Sequence, residues 1–354
     1  MDLGTARDAV IWYMSAVDRA DQPRAEIRFF GGEPFCGDTV IDLAVHLART
    51  RAAEYHRTVS FEVATNGACD ARRAQWAADN LDTIVLSLDG PAPVQDYHRP
   101  YRNGRGSFEV VARNARIFSE GSAALFIRAC VTSESVERMA QTAAWFCDTF
   151  RPAGVAFEPL QPSVESARAG IEPPAARAFA SNFIAACDVL DAHGVESIYS
   201  AADIHTRRVS FCPVGHDAAI VAPDGTVSAC YLLRRDWENR GLDLTLGRLD
   251  GATLELRDGA VDRARSLNVH NKPRCTDCFC RWHCAGGCHV NHPCDDPPGS
   301  YDRLCTGTRI IALRNILAAM GQRDWARKWL ADPAAVDRSV QRRSDRLCDL
   351  ETSL

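Results

Sequence analysis

A chain of 354 residues with 46% hydrophobic and 25% charged residues and a formal net charge of −5 has the balance of a globular protein of two domains, or of one barrel with an appendage. No basic block or Lys/Arg stripe stands out, no apolar run approaches the roughly 18–20 residues of a membrane span, and the first residues lack the basic-then-apolar pattern of a secretory signal. Nucleic acid and membrane are therefore not implied as partners, and a cytoplasmic location is expected.

In chain order, residues 2–17 have helical periodicity and 26–30 form a short apolar strand ending at Gly31-Gly32. A helix over 38–51 with Asp38 as N-cap, a strand over 59–64 ending at Thr65-Asn66-Gly67, and a helix over 70–78 follow. Next come a strand over 83–88 ending at Asp89-Gly90, a helix over 107–119, a strand over 124–131, a helix over 135–150 and a short strand over 155–157. This alternation predicts an α/β fold with a parallel sheet of βαβ units, its apolar strands covered on both faces. Residues 161–174 read as a polar, proline-rich linker and 175–192 as one long helix. A hairpin is predicted over 219–229, turning at Pro223-Asp224-Gly225. Residues 274–305 leave little room for regular structure, and 306–320 and 323–330 are helical again. The expected divisions are 1–160, 161–210, 211–310 and 311–354.

Cysteine is the outlier of the composition. Of fifteen, Cys36, Cys69, Cys130, Cys147 and Cys187 are scattered and read as buried free thiols acting as small hydrophobes. Nine fall between Cys212 and Cys305, and Cys348 trails behind. A dense cluster in a reducing compartment indicates metal binding rather than disulfides. Cys275-x2-Cys278-x5-Cys284-x3-Cys288, Cys212 and Cys230 flanking the hairpin, and Cys305 give seven well-spaced thiols. That is too many for one four-ligand centre and nearly enough for two, either zinc or iron–sulfur.

The spacing Cys212-x12-Gly225-x4-Cys230, then Cys275, Cys278, Cys284, Cys288 and Cys305, resembles the SPASM domain of radical S-adenosylmethionine (SAM) enzymes that modify peptides and proteins. The resemblance implies two auxiliary 4Fe–4S clusters, with Cys275, Cys278, Cys284 and Cys305 holding the outer one. Cys212, Cys230 and Cys288 would supply three ligands of the inner one, whose fourth is left unnamed. Cys280 and Cys294 have no place in the pattern. The first half is similar to the same family: Gly31-Gly32-Glu33-Pro34 matches its GGEP motif, where the SAM amino group is received. Asn66, Ser87 and Arg128 fall at strand ends or on strands where that family binds SAM, and Asp89 reads equally as a cap. The fold implied is a partial (β/α) barrel of the radical SAM type, first strand missing, followed by a small cysteine-rich cluster-binding domain. The reaction implied is hydrogen abstraction from a ribosomally made peptide or a protein side chain by a 5′-deoxyadenosyl radical. A reductant such as flavodoxin or ferredoxin would serve it.

One departure is large. The radical-forming cluster of the family needs Cys-x3-Cys-x2-Cys upstream of GGEP, and no cysteine precedes Gly31. Met1 is therefore expected to be an internal methionine, and these 354 residues alone are expected not to cleave SAM reductively. The alternative is a truncated or degenerate, non-catalytic iron–sulfur protein that binds a peptide or partner. A zinc-binding regulator would need a DNA-reading helix or basic face, and neither is evident. Sulfatase-maturating members carry Asp after the cysteine matching Cys230. Tyr231 stands there instead, which favours another peptide maturase.

Overall fold

The structure, a computed structural model, describes residues 1–292 and 301–340; Cys294 and Cys348 lie outside the described residues. Six strands pair in parallel and in chain order: β1 (Arg24–Phe29), β2 (Thr58–Thr65), β3 (Thr83–Ser87), β4 (Ala124–Val131), β5 (Gly154–Pro159) and β6 (Glu196–Ile198). Helix α1 (Leu3–Arg19) precedes them. The crossovers carry α2 (Asp38–Glu54), α3 (Ala71–Asn80), α4 (Ala92–His98), α5 (Phe108–Glu120), α6 (Met139–Phe150), the short α7 (Val164–Arg168) and α8 (Ala176–Ala192). With every strand parallel, the loops that follow them gather on one rim, at residues 30–37, 66–70, 88–91 and 132–135.

The helices cover one face of the sheet. Phe61, Ile84, Leu86, Ile127 and Phe157 alternate inward along the strands and meet Met14, Phe118, Phe146 and Phe150 from the helices. Each such side chain contributes about 1.5–3 kcal/mol by leaving water. The opposite face is not the apolar surface expected. In β1 it carries Arg24, Glu26 and Arg28, with Arg28 paired to Glu26 at 2.6 Å and to Glu62 of β2 at 3.7 Å. At β1 that face is therefore polar and exposed instead of covered by a second helix layer.

Local caps explain most boundaries. Asp2 Oδ1 accepts from Thr5 N, and Asp70 Oδ1 from Arg73 N, each opening a helix. Asp38 is not the N-cap predicted for α2. Gly37 takes that position without a side-chain bond, and Asp38 pairs at 2.9 Å with buried Arg73 of α3. Arg73 also pairs with Asp42 at 2.6 Å and lies over the Phe35 ring, pinning the 34–37 turn to two helices.

The second part is an antiparallel sheet in the order β10-β9-β8-β7: β7 (Ile220–Val221), β8 (Thr226–Ser228), β9 (Thr245–Asp250) and β10 (Thr253–Leu256). The expected hairpin is its β7–β8 pair, turning where Asp224 Oδ1 accepts from Thr226 N. Helices α9 (Arg234–Glu238) and α10 (Ala260–Arg265) complete a small core of Val214, Val227, Trp237, Leu246, Ala264 and Val290. The cysteine-rich stretch is more ordered than its composition indicates: α11 (Arg281–Cys284) is helical, and Cys305 lies in the first turn of α12 (Arg303–Ala319). Helix α12 runs across the division expected at residue 310. Helices α13 (Arg323–Leu330) and α14 (Pro333–Val340) then return to the barrel core. No helix among the described residues is long and apolar enough to cross a membrane.

Candidate functional site

At the rim, Glu33 ties two strand ends together. Its Oε1 accepts from Thr65 Oγ1 at 2.8 Å and Phe35 N at 3.1 Å, and its Oε2 from Asn66 N at 2.7 Å. An ionised carboxylate has about four acceptor sites, so three donors leave room for one more, such as an ammonium. Gly31, at φ 154°, and Gly32 meet no neighbouring atom within 4 Å where a Cβ would stand, so the backbone before Pro34 is open to close approach. Asn66 itself is held by its Oδ1, which accepts from Ala68 N.

Ser87 and Arg128 are register partners on β3 and β4, on the side away from the helices. The charge on Arg128 acts at a distance on Glu158 of β5, two residues beyond its register partner Ala156; the two form no ion pair within 4.0 Å. Burial nonetheless pushes Glu158 above the usual range, against that charge. Tyr231 of the second part reaches back to this opening, its ring 4.6 Å from that of Phe30. Tyr231 is 56% exposed, but its partial desolvation raises the phenol against the pull of Arg128, so less of it is ionised, and available as a base, than of free tyrosine. Asp89 faces elsewhere. It is 4% exposed and accepts from Cys130 N, Arg99 and His98, so it fastens β3 to β4 and α4 and caps no helix.

The outer cysteine set converges. Cys275, Cys278, Cys284 and Cys305 line one cavity with Cys280, Arg274, His292 and Arg309. A 3-10 turn over Pro273–Cys275 leads into Cys275, and α11 ends at Ala285 in the left-handed region. Arg309 donates to Cys278 Sγ at 3.1 Å, and Cys305 Sγ lies 3.3 Å from His292 Nε2. A hydrogen bond from Cys280 and the Arg309 charge hold the Cys278 thiol down, while burial pushes Cys280 up. Burial works on Asp302 in the raising direction, but the His292 hydrogen bond, the Cys305 N–H and the Arg274 charge hold it well below the usual carboxylate range. His292, Asp302 and Cys305 place one ligand atom each within 4.8 Å of one another. The spacing had pointed to four of these cysteines. It gave no signal for His292, which only the fold brings to Cys305, or for Asp302, which caps α12 by accepting from Cys305 N and reads locally as a cap alone.

Cys212, Cys230 and Cys288 form the second set. Each of Cys212 and Cys230 feels the charge of Cys288, and burial raises both thiols first. Backbone amides already point at the sulfurs: Leu232 N to Cys230 Sγ and Asn291 N to Cys288 Sγ, each at 3.4 Å. The donor set fits iron–sulfur clusters in that N–H groups face the Cys230 and Cys288 sulfurs and the Arg309 cation faces Cys278, while at Cys212 and Cys230 burial opposes the bare thiolate. Of the scattered cysteines, Cys147 and Cys187 are buried as expected, and Cys69 and Cys130 are half-buried. Cys36 is exposed, contrary to expectation, because Phe35 takes the inner side of its turn.

No protein-family model matches the chain. A serine-type anaerobic sulfatase-maturating enzyme of Klebsiella aerogenes is 26% identical over 303 residues, covering 80% of this chain and 70% of that protein. Among solved structures, native anSMEcpe with bound AdoMet superposes with a TM-score of 0.65 at 17% identity, covering 88% of this chain and 89% of that one. SuiB of Streptococcus suis bound to S-adenosylmethionine gives 0.54 at 16% identity, covering 81% of this chain and 66% of SuiB. SuiB bound to its precursor peptide SuiA gives 0.51. The fold of this chain is the fold of these structures.

Proposed function

We propose that this protein is a radical SAM/SPASM maturase that modifies a peptide or a protein side chain. The observation that supports it most is the gathering of Cys275, Cys278, Cys284 and Cys305 on one cavity, with Cys212, Cys230 and Cys288 as a second set, in a chain built on a six-stranded parallel sheet. Relatives with this fold include proteins crystallised with AdoMet and with peptides. In this reading the outer four cysteines hold one 4Fe–4S cluster, and Cys212, Cys230 and Cys288 supply three ligands of another. Gly31, Gly32, Glu33, Pro34, Asn66, Ser87 and Arg128 receive SAM. The clusters supply one-electron chemistry when bound. The chain's own part is to orient and to exclude water. Glu33 offers its remaining acceptor site to an ammonium, the open Gly31-Gly32 backbone admits it, and Phe30 and Tyr231 narrow the opening above Arg128 and Glu158. Tyr231 lines the substrate side without acting as a base, which separates the proposed reaction from sulfatase maturation.

The test is a protein in which these 354 residues are joined to a segment carrying Cys-x3-Cys-x2-Cys, reconstituted anaerobically and given SAM and dithionite. It should form 5′-deoxyadenosine, and its Ser-for-Cys version of the added segment should not. A joined protein that holds its iron yet forms none would instead be the non-catalytic iron–sulfur protein.

A further inference from the structure

Lys272 is one of two lysines in a chain whose Lys and Arg total 41. It is 8% exposed, and its Nζ donates to Gly286 O at 3.0 Å and Gly287 O at 3.1 Å. Those two glycines join Cys284 of the outer set to Cys288 of the inner set. Both have positive φ, 78° and 68°, which turns their carbonyls onto the ammonium. A Cβ on Gly286 would stand 2.3 Å from Lys272 Cδ, so the glycine also makes room for the lysine stem. No carboxylate among the described residues lies within 4.0 Å of Nζ. An ammonium taken out of water costs several kcal/mol, and two carbonyl dipoles carry no net charge to offset it. Thiolates on the two residues that flank this turn, Cys284 and Cys288, can supply the compensating charge, and Gly287, whose carbonyl Nζ meets, directly precedes Cys288 of the inner set.

We propose that the Lys272 ammonium is the counter-cation of the two sulfur centres and raises the reduction potential of the inner one. The inference rests on the reading of these cysteines as iron–sulfur ligands. Adding an electron makes a cluster more negative, and a fixed cation held near it favours that state. Lysine suits the place: the stem passes over the Gly286 α-carbon, and a compact ammonium with three donors meets two converging carbonyls.

The experiment compares the parent, Lys272→Met, Lys272→Arg and, as a control, Lys328→Met, all reconstituted anaerobically. Iron and sulfide are counted, and the centres are titrated under electron paramagnetic resonance. A Cys278→Ser background identifies the inner signal. Lys272→Met should keep its iron and disfavour reduction of the inner centre at least about tenfold, 59 mV for a one-electron couple. Lys328→Met should match the parent. Loss of iron from Lys272→Met but not from Lys272→Arg would show the same charge requirement at assembly. An unchanged inner potential in Lys272→Met, or loss of iron from both Lys272 variants, would overturn the proposal. A parent without iron and sulfide would overturn the underlying reading instead.

Discussion

Asp89→Asn is expected to destabilise the barrel half by about 3 kcal/mol, the lower end of what breaking a buried ion pair costs, because Arg99 keeps part of its water. The carboxylate side chain is 1% exposed and binds Arg99 Nε at 2.8 Å, Cys130 N at 2.8 Å and His98 Nδ1 at 3.2 Å. An amide keeps the shape but loses the charge, and its NH2 group turns donors toward donors. Burial alone would raise this carboxyl. The His98 hydrogen bond and the Arg99 charge and hydrogen bond outweigh it, so the folded pKa lies below the ordinary value. Its contribution is then complete above about pH 4, the unfolded pKa, and is lost as pH falls through the folded value. Urea unfolding at neutral pH should show the full loss, and the difference between parent and variant should shrink in acid. A variant within 0.5 kcal/mol of the parent would mean that Asp89 does not fasten β3 to β4.

Replacing Cys278 or Cys284 by Ala should make the 269–292 stretch at least about tenfold more sensitive to trypsin, which corresponds to about 1.4 kcal/mol or more of local stability. Apolar burial here is sparse: Val269, Cys275 and Ala285 with Trp282 form one small group, and Cys280 and Val290 reach into the two larger cores. With the proposed clusters bound, their binding free energy is then a large part of the folding free energy of the segment. New cuts are expected after Arg274 and Arg281, while residues 1–192 stay protected by their large shared core. Cys280→Ala is the control, since that thiol has no place in the ligand pattern. Parent and variants cleaved alike would show that the stretch folds without its sulfur ligands.

The parallel sheet was legible because hydrophobic runs, Asp caps and glycine-ended strands are local signals. Residues 124–131 and 323–330 fall on their predicted bounds, and Asp70 sits one residue before its helix. What the residues did not disclose depended on the assembled fold. β9 and β10 are short and half-exposed, so their pattern carries little weight until β8 lies beside them. The polar face of β1 reads locally as a surface, and it is exposed. Asp38 looked like a cap because nothing in its own segment announces Arg73. At the site, cysteine spacing is local and was readable, whereas Lys272, His292 and Arg309 meet their partners there only through chain reversals.

The central claim is that the cysteines between 212 and 305 hold two four-iron clusters. Iron, acid-labile sulfide and zinc counted in one anaerobically reconstituted preparation test it most directly. About eight irons with matching sulfide per chain are expected. Stoichiometric zinc without sulfide would contradict it.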